Sequence, residues 1–186
     1  GIINIKKARH PLINPDVVVP VSVRLGKDYN FLLITGPNTG GKTVTLKIVG
    51  LFTAMTLTGL YIPAEEESEI SIFSQIYSDI GDEQSIEQSL STFSSHMKNI
   101  VEFCNNLDEK PLILLDELGA GTDPEEGSAL ALAVIERLLD KKAYGIITTH
   151  YSKLKEFAFT DKRIENASMD FDSVSLKPMY RLNIGI

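Results

Sequence analysis

Three short runs of the chain are apolar almost without a break: Phe31-Leu32-Leu33-Ile34, Leu112-Ile113-Leu114-Leu115 and Gly145-Ile146-Ile147. Runs of this kind predict strands covered on both faces, as in a parallel sheet. Elsewhere the hydrophobic residues return at helical spacing. Val44, Ile48, Leu51, Phe52 and Met55 form a stripe that predicts a helix beginning near Lys42 and packing on the sheet. Phe93, Met97, Ile100, Val101, Cys104 and Leu107 form the apolar face of a second, amphipathic helix opened by Ser89–Met97, with Ser91 as its N-cap on spacing. A third helix is expected from about Glu125 to Asp140, with Glu125 and Glu126 in the first turn, where negative charge suits the dipole. Antiparallel strands are expected to join the sheet at the beginning (about 2–25) and at the end (Arg163–Phe171 paired with Val174–Asn183). The fold class is therefore α/β: a twisted, mostly parallel sheet with flanking helices.

Between the first apolar run and the first helix stands Gly36-Pro37-Asn38-Thr39-Gly40-Gly41-Lys42-Thr43, which reads G-x-x-x-x-G-K-[ST]. A triphosphate needs many donors close together and no side chains in the way. Glycines let the backbone curl so that successive N–H groups point inward, and the following helix adds its free N-terminal amides. Lys42 is expected to reach the β- and γ-phosphates, and the Thr43 hydroxyl to ligate Mg²⁺. The second apolar strand ends in Asp116-Glu117, at the carboxyl end where ligands of parallel sheets bind. Asp116 is expected to hold the Mg²⁺ shell. Glu117, on the opposite side of an extended strand, would act as general base toward water. A loop, Gly119-Ala120-Gly121-Thr122-Asp123-Pro124, follows, and the third strand ends at His150, placed to hydrogen-bond a γ-phosphate. The acid pair and the later His favour the ABC-type branch of P-loop ATPases, since no N-K-x-D guanine motif is present. The transporter sequence L-S-G-G-Q is also absent. A Ser that caps a helix can, with the free amides, also meet an anion from another subunit, so Ser91 carries both readings.

Taken together these segments resemble the ATPase domain of the MutS family over nearly the whole chain. The 36–43 loop, Ser91-Thr92-Phe93, Leu112–Glu117, the Gly119–Asp123 loop and Thr148-Thr149-His150-Tyr151 occur in family order. Arg9-His10-Pro11-Leu12 and Tyr61-Ile62-Pro63-Ala64 are further signposts. Thr39 and Thr43-Val44 stand where mismatch-repair MutS typically has Met and Ser-Thr. The run Gly40–Lys47 and Gly121–Gly127 are similar instead to the second bacterial paralogue, whose members carry a C-terminal Smr nuclease domain. The alternative is mismatch-repair MutS itself. The resemblance implies a Mg²⁺-dependent ATPase and a homodimer with two composite ATP sites, each completed by the partner's Ser91. It further implies roles in recombination control and in rescuing collided ribosomes, through branched DNA or ribosome binding. Carried over to this sequence, residues Gly36–Val44 bind ATP, Lys42 and Thr43 meet phosphate and Mg²⁺, Asp116 supports Mg²⁺ through water, Glu117 activates water, Ser91 acts in trans and His150 senses the γ-phosphate. For adenine stacking the late candidate is Tyr180, equally readable as an ordinary strand aromatic, and the early ones are Val18, Val19 and Pro20.

Composition narrows the setting. At 186 residues the chain forms one domain, 1–186, large enough for a single sheet-centred core. Gly1 in place of Met, and an end within a strand at Ile186, are read as an ATPase domain excised from a longer multidomain protein. The net charge of −7 argues against this domain gripping nucleic acid alone, so DNA or ribosome contacts are expected from other regions. Cys104 is the single cysteine and is read as core, which excludes an internal disulfide. No apolar stretch approaches the ~20 residues that span a bilayer, and a cytoplasmic setting is expected. Glu83 or Gln84 is a minor candidate for approach to a metal-bound water. A nucleotide-gated binding module with little turnover as an isolated fragment is the competing functional class.

Overall fold

The computed structural model describes residues 1–81, 89–172, 175 and 177–185, with the side chains of Asn38 and of residues 89–92 outside that description. Glu83, Gln84 and Val174 lie outside the described residues. The chain order is β1 (Ile3–Ala8), β2 (Val21–Leu25), β3 (Phe31–Thr35), α1 (Lys42–Leu57), β4 (Glu69–Ile70), β5 (Ile76–Asp79), α2 (Ser89–Asn105), β6 (Leu112–Leu115), α3 (Pro124–Asp140), β7 (Tyr144–Thr148), α4 (Ser152–Thr160), β8 (Ile164–Asp172) and β9 (Lys177–Ile184).

Six strands form the main sheet in the order β5-β6-β7-β3-β8-β9. All neighbours are parallel except the β8–β9 hairpin. The three apolar runs occupy its centre as β3, β6 and β7, and every residue from Phe31 to Ile34 is fully buried. Side chains alternate across a strand, so the runs feed two cores. Leu32, Ile34, Leu112, Leu114 and Ile146 join α1 residues Leu46, Ile48, Val49 and Phe52 on one face. Phe31, Leu33, Ile113, Leu115 and Ile147 join α2, α3 and α4 through Ile100, Phe103, Ile135, Leu138 and Leu154 on the other. At about 1.5–3 kcal/mol for each fully buried aliphatic side chain, this double coverage is what fixes the strand register.

The opening antiparallel strands differ from the expectation. β1 and β2 pair with each other, but they form a separate three-stranded sheet, β2-β1-β4, and do not join the main one. Their alternating pattern (Val21, Val23 and Leu25 buried, Ser22 and Arg24 exposed) gives a single apolar face, which packs into the α1-side core. A central position in a parallel sheet requires two such faces.

The helices begin where expected, with local exceptions. Leu51 in α1 and Val101 in α2 are exposed, at the margins of their stripes, whereas Val49 and Phe103 are buried. Leu107 falls beyond the end of α2 yet still packs on that core. α3 starts at Pro124 with Asp123 as N-cap, its carboxylate accepting from the amides of Glu125 and Glu126. Among the described residues no helix is long and apolar enough to cross a membrane.

Candidate nucleotide site

β3 sits between β7 and β8, and β7 separates it from β6. The loop leaving β3 therefore opens at the carboxyl ends of the central strands. It runs through a 3₁₀ turn at Asn38–Gly40 and reaches α1 through Gly41. Gly36 and Gly41 have φ of +127° and +95°, conformations that exclude most side chains. The space is closed as well: a Cβ on Gly41 would lie 3.1 Å from the Tyr180 ring. Among the described residues no side chain caps α1, and the first amides of a helix are donors suited to an anion.

Five of the expected groups converge behind this loop. Lys42, only 1 % exposed, donates to the Gly36 carbonyl at 2.8 Å and pairs with Glu117 Oε1 at 2.8 Å. The Thr43 hydroxyl donates to Asp116 Oδ2 at 2.6 Å, joining residues 73 positions apart. Thr148 Oγ1, at the end of β7, donates to Asp116 Oδ1 at 2.5 Å and accepts from the Glu117 amide at 2.8 Å. The exposed His150 approaches Glu117 Oε2 at 3.0 Å through Nδ1. Burial acts to raise the Glu117 pKa. The hydrogen bonds and charges of Lys42 and His150 outweigh it and hold the carboxyl below its usual range. The arrangement thus gives a buried lysine a carboxylate partner and sets a hydroxyl beside a second carboxylate.

Glu117 departs from the extended geometry expected of it. β6 ends at Leu115, and Glu117 adopts φ of +49°. This left-handed turn swings the carboxylate toward Lys42 instead of across the strand. Ser91 also differs: α2 already runs from Ser89, so Ser91 lies inside its first turn and is not the N-cap, and its side chain lies outside the described residues. Tyr180 stands beside Gly41, in an irregular stretch of the β8–β9 register and with φ of +56°. The hairpin thus carries an aromatic ring to the rim of the loop. Val18, Val19 and Pro20 are half-buried between β1 and β2. Pro37 and Thr39 are exposed on the loop, and Val44 packs against the α1-side core.

Sequence reasoning passed over Thr148, which holds both carboxylate-bearing residues. It also passed over Asp79 at the end of β5, whose carboxylate meets His96 of α2 at 2.7 Å and whose carbonyl accepts from the Asp116 amide at 3.0 Å. Thr148 could have been found from its place one strand-end from an acid pair. Asp79 had no such signal, because β5 carries no uninterrupted apolar run.

An Mg²⁺–nucleotide complex fits these residues. Thr43 and Asp116 supply hard oxygen donors side by side, as Mg²⁺ prefers, and the loop has no room for a Cβ at Gly40 or Gly41, which would lie 3.0 Å from Met169 and 3.1 Å from Tyr180. Among the described residues there is no group of three or more His, Cys, Asp or Glu side chains able to hold a metal alone.

Residues 32–185 match the family model of MutS domain V. Along its whole length the chain is 62 % identical to a protein named Endonuclease MutS2 from Caldicellulosiruptor saccharolyticus, 63 % identical to its namesake from Caldicellulosiruptor bescii, and 59 % identical to that of Brevibacillus brevis. In each case it spans 24 % of the relative's length.

Proposed function

Since the chain belongs to the MutS domain V family, we propose that it is an ABC-type P-loop domain that binds and hydrolyses ATP in a Mg²⁺-dependent manner. The observation that carries this reading is the Thr43–Asp116 contact beside the buried Lys42. The backbone amides of residues 36–43 bind the phosphates, and Lys42 moves from Glu117 to the β- and γ-phosphate oxygens. Thr43 and, through water, Asp116 hold Mg²⁺, which when bound neutralises charge developing on the transferred phosphoryl group. Glu117, released from Lys42, accepts a proton from the attacking water while His150 orients against the γ-phosphate. Tyr180 stacks on the adenine from the loop's rim.

In the longer protein the domain works as a homodimer, with the partner's Ser91 completing each site, and ATP turnover drives clamping. Recognition of branched DNA or collided ribosomes, and any nuclease activity, belongs to other regions. The relatives' name, Endonuclease MutS2, and the −7 charge of this chain support that division. One observation favours a second reading, a nucleotide-gated module with little turnover in isolation. Lys42 and His150 engage both oxygens of Glu117, so its base function is masked until phosphate displaces the lysine.

Calorimetric titration with ATP and GTP, with and without Mg²⁺, tests the first reading. Tight Mg²⁺-dependent ATP binding that is lost in Lys42→Ala is expected, and absence of heat with any purine triphosphate would overturn it. Specific ATPase activity that rises with protein concentration supports composite sites. A flat profile with measurable turnover removes them.

A further inference from the structure

We infer that Tyr151 is a positioning residue for the hydrolytic step, setting the turn that aims Glu117 and the ring of His150; this rests on the ATPase reading above. Its side chain is buried, and its hydroxyl donates to the Gly119 carbonyl at 2.9 Å, two residues beyond Glu117. Its ring centroid lies 4.3 Å from that of His150. One tyrosine therefore touches the histidine expected at the γ-phosphate and the turn that carries the base.

That turn needs outside support. Glu117 has φ of +49°, and Gly119 has φ of +87°. Non-glycine residues hold a left-handed conformation only where their surroundings over-determine it. The Glu117 amide is fixed by Thr148 Oγ1, the Leu118 amide by the Thr148 carbonyl at 3.1 Å, and the Ala120 amide closes the turn on the Glu117 carbonyl at 3.0 Å. Tyr151 is the support furthest along the turn. It acts where Gly119 crosses the start of α3, in a contact so close that a Cβ on Gly127 would lie 2.4 Å from the Gly119 oxygen and 2.6 Å from the Tyr151 hydroxyl. The junction admits no side chain, so its geometry passes directly between the end of β7, the turn after β6 and the N-terminus of α3. Removing the hydroxyl leaves the ring and its packing in place while freeing the Gly119 carbonyl, and with it the peptide planes that orient Glu117.

The test is Tyr151→Phe in the full-length protein, alone and combined with Glu117→Gln, with turnover, KM for MgATP and nucleotide affinity measured together. The expected result is a fall in kcat of about three- to tenfold, the scale of one neutral hydrogen bond. KM and the dissociation constant for MgATP should stay within about twofold, because the phosphate loop is untouched. In the Glu117→Gln background the second substitution should add nothing, since the group it positions is already disabled. A tyrosine with a purely structural role would instead multiply with Glu117→Gln and shift affinity. Wild-type kcat in Tyr151→Phe beside an inactive Glu117→Gln overturns the positioning role alone. Full turnover in Glu117→Gln overturns the hydrolytic reading, and the positioning role falls with it.

Discussion

Replacement of Glu117 by Gln separates binding from chemistry, with opposite signs. At rest, Lys42 Nζ lies 2.8 Å from Glu117 Oε1, with the lysine fully buried and the carboxylate largely so. At that separation the gross attraction is about 6 kcal/mol for an effective dielectric near 20. Desolvation of both ions offsets much of it, leaving the ~1.5–3 kcal/mol typical of a hydrogen bond to a charged group. A triphosphate must displace this carboxylate to engage Lys42, and then sits beside its negative charge. The neutral amide keeps the shape but gives up most of the competition. MgATP should therefore bind more tightly by about 1–2 kcal/mol, roughly five- to thirtyfold. Turnover should fall by a factor of about 10² or more, the usual scale for a lost general base. Calorimetry and single-turnover hydrolysis on the same preparation read the two effects. Weaker MgATP binding in Glu117→Gln would refute the competition argument, whatever the rate shows.

Thr148→Val keeps side-chain volume but removes the donor to Asp116 and the acceptor for the Glu117 amide. A loss of about 1–3 kcal/mol in domain stability is expected from the unmet groups, read as a lower urea midpoint, together with weaker Mg²⁺ dependence of nucleotide binding. Asp123→Ala deletes the carboxylate that caps α3 through the amides of Glu125 and Glu126 and should cost about 1 kcal/mol in the same assay, with MgATP affinity unchanged. Burial pushes the Cys104 thiol above its ordinary value of 9.0, outweighing the opposing charge of Arg137. Because the folded state resists deprotonation, this contribution to stability is complete below pH 9.0 and declines as pH rises past it. At pH 8 a thiol reagent should label the native chain far more slowly than the urea-unfolded chain, and equal rates would place Cys104 outside the core.

What the sequence made legible was local chemistry on strand ends. Phe31–Ile34 and Leu112–Leu115 announce themselves because a strand buried on both faces is apolar at nearly every position, and Lys42, Thr43, Asp116 and Glu117 follow them closely along the chain. Tertiary geometry was not legible. The separate β2-β1-β4 sheet depends on a pairing of β1 with both β2 and β4, the latter a two-residue strand with no pattern of its own. The left-handed turn at Glu117 is imposed from β7, through contacts that begin 31 residues away. Leu51 and Val101 fit their helical stripes but lie at the edge, where helix rotation against the sheet decides exposure.

The same division explains why the site's supports were harder to see than its reactive groups. A reactive carboxylate must stand at one defined place in the sequence, after a strand and beside the loop. A supporting residue need only reach that place in space, and any element passing nearby can supply it. Here β7 passes between the loop strand and the acidic strand, so Thr148, His150 and Tyr151 all end within reach of Asp116, Glu117 or the turn beyond them. Three contacts from the end of one neighbouring strand over-determine a conformation that Glu117 would not hold by itself. It follows that disturbing Tyr151, which meets the turn beyond Glu117 and leaves the Lys42–Glu117 pair in place, should change turnover before it changes nucleotide affinity, whereas disturbing Thr148 should also change the Mg²⁺ dependence of binding, because its hydroxyl holds Asp116.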